Sequence, residues 1–347
     1  MKNIGIIGCG KIAQIRHIPE YVDNPDATIV GVYDFNIQRT AEIAAKLNCK
    51  AFSSVDELLA EPQIDAVSVC VANNAHCEVT VKALKAGKDV LCEKPMAATL
   101  EECELMVRTA EECGRKLMIG QNQRLADAHV KAAELIREGA IGRVLSFRTS
   151  FGHSGPENWS IDPGKNTWFF DKKQAVMGVM ADLGIHKTDL IQHILGQKIV
   201  ATTAKLVTLD KRGPDGNLIE VDDNAICIYE MDGGAIGTMV ASWTYYGAED
   251  NSTTVYGTEG CMTIYDIDRA PVVLRKNTGE VIEFQTGQIQ TNANQTKSGI
   301  IDAFINCLVK DTEPSISGKG VLAAMRAVVA SIESSETGKR VEIPANR

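Results

Sequence analysis

The chain opens with residues 2–13, KNIGIIGCGKIA, in which an apolar run leads directly into the pattern G-x-G-x-x-A. This order predicts a β-strand, a tight turn and the start of a helix. We expect Gly8 to permit the turn, Gly10 to let the backbone approach a pyrophosphate, and Ala13 to let the helix pack close to the strand. Free N–H groups and the helix dipole would then hold phosphates. The stretch therefore predicts the first strand and helix of a dinucleotide-binding fold.

An acidic residue follows a second apolar run. Residues 28–33 read TIVGVY and lead into Asp34, roughly 20 positions after the glycine motif, where a carboxylate can hold a ribose 2′-hydroxyl. Because this carboxylate would repel a 2′-phosphate, the spacing predicts NAD rather than NADP. Arg39 is the one nearby cation that could soften this preference, and the alternative is a solvated arginine at the start of a helix. The alternative is a strand, an ordinary turn and a surface carboxylate.

Composition narrows the class of protein. The 347 residues carry a formal net charge of −9, which argues against a nucleic-acid partner. No apolar run is long enough to cross a bilayer, and the first residues read as a strand rather than a signal peptide. None of the ten cysteines forms a C-x-x-C pair, so we expect reduced thiols, no metal site and a cytoplasmic location.

The chain changes character near residue 122. Before it, predicted strands and helices alternate, which indicates a doubly wound parallel sheet in an α/β domain. After it, consecutive predicted strands, with helices before and after them, indicate an α+β domain. The sequence near this boundary does not have the composition of a flexible linker. We therefore expect two domains, 1–122 and 123–347.

Two clusters carry groups that can move protons. Lys94 follows a predicted strand and precedes Pro95, so it would lie at the ligand-binding carboxyl edge of the sheet; an ordinary strand-end lysine is the alternative. Asp182 and His186 would share one face of a helix, where a carboxylate can orient an imidazole. Periodicity alone favours a different interpretation, in which this helix shows a polar face to water.

Together these residues resemble the Gfo/Idh/MocA oxidoreductases, a family that includes glucose–fructose oxidoreductase and inositol 2-dehydrogenase. The resemblance rests on G-x-G-x-x-A at 8–13, E-K-P at 93–95 and D-x-G-x-H at 182–186, and it covers essentially the whole chain. It implies an N-terminal Rossmann domain and a C-terminal domain with a large open-faced, mostly antiparallel sheet. Since an open sheet face is normally covered, we expect a homodimer or homotetramer. One departure is that residues 177–180 read MGVM, where many members carry a glycine triplet.

The resemblance also assigns roles. It implies that a hydride moves between a nicotinamide and a secondary hydroxyl or ketone, with Lys94, Asp182 and His186 as the catalytic residues. With the glycine motif, it places the cofactor against Gly8, Cys9, Gly10, Lys11, Ile12, Asp34, Ala72, Asn73, His76, Glu93, Lys94 and Asn122. For the substrate, it implies Lys94, Arg124, Asp182 and His186.

The substrate class follows from residues 152–171. This stretch joins hydrogen-bonding groups to aromatic rings, which suits a sugar with polar edges and C–H faces; it adds His153, Asn158, Trp159 and Trp168 to the expected substrate contacts. A surface loop pinned by core tryptophans is the alternative. No arginine pair suited to a carboxylate is evident there, so we favour a sugar, cyclitol or glycoside over a 2-hydroxy acid.

Two other functions stay open. Some relatives process glycosides by transient oxidation while they retain NAD. A non-catalytic nucleotide-sensing regulator on the same fold is the other, although the presence of Lys94, Asp182 and His186 argues against it.

Overall fold

The computed structural model describes residues 1–266, 270–289 and 297–344. Its contacts divide the chain into two compact units. The first unit comprises Met1–Gln121, Trp159–Asp162 and Lys297–Leu322, and the second contains the remaining described residues. Two short segments from the later part of the sequence thus join the unit that the first 121 residues build.

Strands and helices are numbered in chain order. The strands are β1 (Lys2–Ile7), β2 (Ala27–Tyr33), β3 (Lys50–Ala51), β4 (Ala66–Val69), β5 (Asp89–Cys92), β6 (Leu117–Ile119), β7 (Val144–Gly152), β8 (Ile199–Val207), β9 (Asn224–Met231), β10 (Ile236–Ser242), β11 (Thr253–Gly257), β12 (Gly260–Ile264), β13 (Val272–Lys276), β14 (Val281–Phe284) and β15 (Val341–Glu342). The α-helices are α1 (Ile18–Asp23), α2 (Ile37–Leu47), α3 (Val55–Ala60), α4 (His76–Lys85), α5 (Leu100–Cys113), α6 (Asp127–Arg137), α7 (Lys172–Ala175), α8 (Ile185–Leu195), α9 (Ile300–Lys310) and α10 (Gly318–Thr337).

The first unit is a doubly wound α/β fold. Its sheet has the order β3-β2-β1-β4-β5-β6, and every pair of neighbours is parallel. The direction of winding reverses between β1 and β4, and ligands of such sheets bind at the carboxyl ends of the strands on either side of that reversal. The loops after β1, β4 and β5 therefore form the candidate cofactor edge. The predicted α/β class of this part is confirmed.

Sequence-local signals set the helix ends of this unit. Helix α5 begins with a capping box, because the Thr99 hydroxyl accepts the Glu102 N–H while the Glu102 carboxylate accepts the Thr99 N–H. It ends at Gly114 in the left-handed conformation. Both features follow from residue type alone.

The second unit is built on a mixed sheet of order β14-β13-β12-β11-β7-β10-β9-β8-β15, within the described residues. Its neighbours are antiparallel except β7 and β10, which run parallel. One face buries Phe147 and Tyr229 in the core, whereas Ile226, Ile228 and Ile236 are exposed on the other. This sheet matches the large, mostly antiparallel one expected from the resemblance.

No helix among the described residues has the length and apolar character needed to cross a membrane.

Candidate active site

The glycine loop after β1 is fixed by the strands on either side. Gly8 has φ of +93°, and its N–H donates to Tyr33 O at 2.8 Å. A Cβ at this position would lie 2.4 Å from the carbonyl oxygen of Cys70. Only glycine satisfies both the backbone angle and the close approach, so the protein's own packing explains this residue.

Gly10 is different, because among the described residues no atom beyond its own chain neighbours lies within 4 Å of where its Cβ would be. Its glycine is therefore not required by packing against the rest of the chain. An open backbone at the start of a helical segment is what a pyrophosphate needs for close approach. The loop thus fits a dinucleotide. Lys11 and Ile12 follow it, and both are half-buried.

Asp34 lies at the end of β2 and is buried. Its carboxylate accepts the N–H of Cys9 at 2.7 Å and that of Asn36 at 2.8 Å. The Arg39 guanidinium lies 3.6 Å from the same carboxylate. Asp34 therefore links the glycine loop to the start of α2. Each oxygen keeps a lone pair with which it could accept a ribose hydroxyl.

Glu93 belongs to a buried hydrogen-bond network that the sequence did not reveal. One oxygen lies 2.8 Å from Nε2 of His17, and the other accepts the backbone N–H of Lys94 at 3.1 Å. His17 Nδ1 lies 3.1 Å from the Ser68 hydroxyl, which also contacts the Tyr21 hydroxyl at 2.8 Å. His17 ends a π-helical turn, Ala13–His17, that follows the glycine loop. The network therefore joins that turn to the segment that carries Lys94.

Electrostatics favour an ionised Glu93. Burial alone would raise the pKa of its carboxyl, but the His17 hydrogen bond and the charges of His17, Arg16 and Lys94 outweigh it and lower the pKa to about 2. The carboxylate is thus a fixed acceptor that holds Lys94 by its backbone. Lys94 itself is half-buried, and its peptide bond to Pro95 is cis.

His76 supports the same segment. Its Nδ1 lies 2.7 Å from Pro95 O, and its Nε2 lies 3.1 Å from Val71 O. The ring is buried, which lowers its pKa. The structure thus uses His76 to connect the loop after β4 with the loop after β5. Of its predicted neighbours, Ala72 is half-buried and Asn73 is buried.

In the second unit, Asp182 and His186 are buried, with exposed fractions of 5% and 7%. Asp182 lies in a π-helical turn, Met180–Gly184, and α8 begins one residue before His186. The interpretation of a water-facing polar stripe is wrong here, because Lys187 and Asp189 are also buried. Periodicity reports that one face is polar, but it does not report what covers that face.

Trp243 holds the Asp182 carboxylate. Its indole N–H donates to Oδ2 at 3.0 Å, and the Trp243 side chain is fully buried. The rings of Phe169 and Phe170 lie 6.4 and 5.9 Å from Trp243. On the other side, Phe151 lies 6.1 Å from His186. The acid and the imidazole are therefore set among aromatic rings.

The departure at residues 177–180 does not leave this turn unsupported. The Asp222 carboxylate accepts the N–H of Gly178 and that of Met180, each at 2.8 Å. A single half-buried carboxylate from another loop thus fixes the backbone that leads into Asp182.

Arg124 makes a paired contact with Asp189, with Nε donating at 2.6 Å and Nη2 at 2.5 Å. Burial opposes the charged form of Arg124, but the bonds to Asp189 raise its pKa. Asn122 and Arg124 share a 3₁₀ turn, Asn122–Leu125. The ion pair fixes this turn against α8 at Asp189, three residues after His186.

The predicted substrate loop is tied to its own unit by polar contacts. His153 Nδ1 accepts the Gly155 N–H at 3.0 Å, and the amide of Asn158 lies 3.3 Å from Ser154 O. Lys211 donates to Ser154 O at 2.7 Å and pairs with Glu157. Further along, Trp168 stacks on Phe169 at 4.0 Å.

Trp159 is placed differently, because residues 159–162 belong to the first unit. The predicted substrate loop therefore contributes residues to both units.

Two family models match the chain. Residues 2–121 match an oxidoreductase family with an NAD-binding Rossmann fold, and residues 129–263 match the GFO/IDH/MocA C-terminal domain. The chain belongs to the Gfo/Idh/MocA oxidoreductase family. The resemblance drawn from the three motifs is thereby confirmed.

Relatives within the Gfo/Idh/MocA family have several activities. The chain is 30% identical to 2,7-anhydro-N-acetylneuraminate hydratase of Escherichia coli, over 86% of this chain and 76% of that protein. It is 25% identical to inositol 2-dehydrogenase of Rhizobium meliloti, over 98% of each. A crystal structure of GenD2 from gentamicin A biosynthesis in complex with NAD matches with a TM-score of 0.84 at 25% identity, covering 99% of this chain and 97% of that one.

His17, Trp243 and Lys187 are the residues that sequence reasoning missed. His17 lies nine positions after Gly8 and carries no motif of its own. Lys187 is fully buried, donates to Asn251 O at 2.9 Å, and has a pKa lowered by burial to about 7. The only sequence signal for Lys187 was its position directly after His186. That signal is weak, because lysine side chains are usually exposed.

Proposed function

We propose that this protein is an NAD-dependent dehydrogenase that acts on a secondary hydroxyl of a neutral sugar, cyclitol or glycoside. The observation that carries the proposal is the buried Asp182 and His186 among aromatic rings, in a chain whose other unit has an open glycine loop. Relatives named as sugar and cyclitol dehydrogenases support this class.

The proposed roles follow from the side chains. NAD, when bound, would supply the hydride chemistry. His186 takes the proton of the substrate hydroxyl as a general base, which is typically worth about 10²–10⁴-fold in rate. Lys94 stabilises negative charge as it develops on that oxygen. Asp182, fixed by Trp243, orients His186 or accepts a neighbouring hydroxyl.

The cofactor is proposed to be NAD rather than NADP. Asp34 supports this, because its buried carboxylate would accept ribose hydroxyls and repel a 2′-phosphate. Gly8, Cys9 and Gly10 would hold the pyrophosphate. Lys11, Ile12, Ala72, Asn73, His76, Glu93, Lys94 and Asn122 complete the proposed cofactor set.

A neutral substrate is supported by the ion pairs already present in the second unit. Arg124 is paired with Asp189, and Lys211 is paired with Glu157. A guanidinium that already binds a carboxylate in two places has less capacity for an acidic substrate. Arg124, His153, Asn158, Trp159 and Trp168 remain proposed contacts to the sugar.

A substrate panel tests the proposal. Purified protein is incubated with NAD or NADP and neutral aldoses, cyclitols, glycosides, sugar phosphates and 2-hydroxy acids, and absorbance of the reduced cofactor is followed. We expect turnover with a neutral polyol and NAD, and lower kcat/KM with NADP. Turnover confined to 2-hydroxy acids, or no nucleotide binding at all, would contradict the proposal.

The second candidate function is glycoside processing by transient oxidation with retained NAD. The relative named as a hydratase supports this candidate, because that name does not describe a net oxidation. Protein that purifies with NAD and converts a glycoside without net change in reduced cofactor would establish this candidate instead.

We also propose that the exposed face of the second-unit sheet binds a second copy of this chain in a homodimer or homotetramer. Ile226, Ile228 and Ile236 are 54%, 43% and 49% exposed on neighbouring strands β9 and β10. A central sheet face with large exposed apolar side chains is typical of a protein–protein interface.

The cytoplasm is the proposed location, since all ten cysteines are free.

The oligomer is tested by light scattering at micromolar concentration. The wild type should have the mass of a dimer or tetramer, and Ile228→Glu should shift it toward the monomer, because a charge would be buried at the interface. Val309→Glu is the matched control, because it adds the same charge at a 49% exposed apolar position on α9 of the first unit and should leave the mass unchanged. A monomeric wild type would contradict the proposal.

A further inference from the structure

The segment Trp159–Asp162 brings a carboxylate to the start of helix α2. Asp162 accepts hydrogen bonds from Nη2 of Arg39 at 3.2 Å and 3.1 Å, through its two oxygens. Ser160 Oγ donates to the backbone oxygen of Asp162 at 3.0 Å, which helps to fix the segment. All of these residues belong to the first unit.

Arg39 therefore lies between two carboxylates. Its Nη1 is 3.6 Å from Asp34, and its Nη2 binds Asp162. The Arg39 side chain is only 13% exposed, whereas that of Asp162 is 73% exposed. One positive charge faces two negative charges here, so the local balance is negative. The sequence showed only Asp34 and Arg39, since Asp162 is more than a hundred residues away.

We propose that Asp162 is a specificity-determining residue that occupies Arg39 and so disfavours NADP relative to NAD. This rests on the proposed function, in which Asp34 holds the ribose hydroxyls. A 2′-phosphate at that ribose would meet two carboxylates and could pair with Arg39 only if it displaced Asp162. Like-charge juxtaposition of this kind is a common way to reject a ligand. The hydroxyl of NAD needs no cation and is not affected.

Asp162→Asn tests the inference, because it removes the charge and keeps the shape of the side chain. Affinities for NAD, NADP and the unreactive probe 2′-phospho-ADP-ribose are measured by calorimetric titration of the full chain. We expect binding of both 2′-phosphorylated compounds to tighten by about 3–10-fold, with NAD affinity unchanged. The gain should shrink in high salt, since the pair is partly exposed.

Two variants serve as controls. Asp56→Asn removes a carboxylate from another exposed ion pair of the first unit, that with Lys82 at 3.8 Å, and should leave all affinities unchanged. Arg39→Ala added to Asp162→Asn should abolish the gain. If Asp162→Asn binds NAD normally but NADP no more tightly, the inference is wrong and the proposed function stands. If the wild type binds neither nucleotide, the proposed function itself fails.

Discussion

Replacement of His186 by alanine is expected to lower kcat by about 10²–10⁴-fold, because the substrate hydroxyl loses its general base. NAD affinity should be retained, since nearly all of the proposed cofactor residues lie in the first unit and His186 lies in the second. Steady-state kinetics and a separate NAD titration measure the two quantities. A lower kcat with unchanged NAD affinity indicates a chemical role for His186, whereas a loss of both indicates a general loss of structure.

The control for this prediction lies on the same helix. His193→Ala on α8 changes an exposed imidazole and should leave kcat near the wild-type value.

Lys94→Met should lower kcat, as His186→Ala does. The double variant should lose less activity than the product of the two single effects if both groups act on one oxygen. Near-normal kcat in His186→Ala would show that the assigned role is wrong.

Local signals predicted most of the first unit because they act over a few residues. The glycine motif requires a strand before it and a helix after it, and the capping box at Thr99 and Glu102 needs only its own turn. The parallel strand order then follows from alternation of strands and helices. The family motifs added the catalytic candidates, which neither composition nor periodicity could provide.

Contacts between residues far apart in the sequence could not be predicted from local signals. Periodicity predicted a polar stripe around Asp182 and His186, but the stripe is buried, because other parts of the second unit cover it and Trp243 meets Asp182 from 61 residues away. Asp162 similarly reaches Arg39 across 123 residues. Such contacts depend on tertiary packing and carry no signature in the sequence near either partner.

Glu93→Ala is expected to destabilise the first unit strongly. It removes the acceptor of His17, whose side chain is fully buried, and an uncompensated buried group of this kind typically costs about 3–5 kcal/mol. For a unit of this size that corresponds to a fall in Tm of about 6–20 °C, measured by circular dichroism without cofactor. Glu112→Gln, an exposed change on α5, should leave Tm nearly unchanged.

The pH dependence separates the charge of Glu93 from its size. In the folded protein the pKa is lowered from its ordinary value of 4.5 to about 2. The ionised carboxylate therefore contributes stability above pH 4.5, and this contribution is lost as the pH falls toward 2. Glu93→Gln keeps the size of the side chain but cannot ionise. The difference in Tm between wild type and Glu93→Gln should thus be largest near neutral pH and shrink in acid; a difference that stays constant would show that the charge on Glu93 does not stabilise the fold.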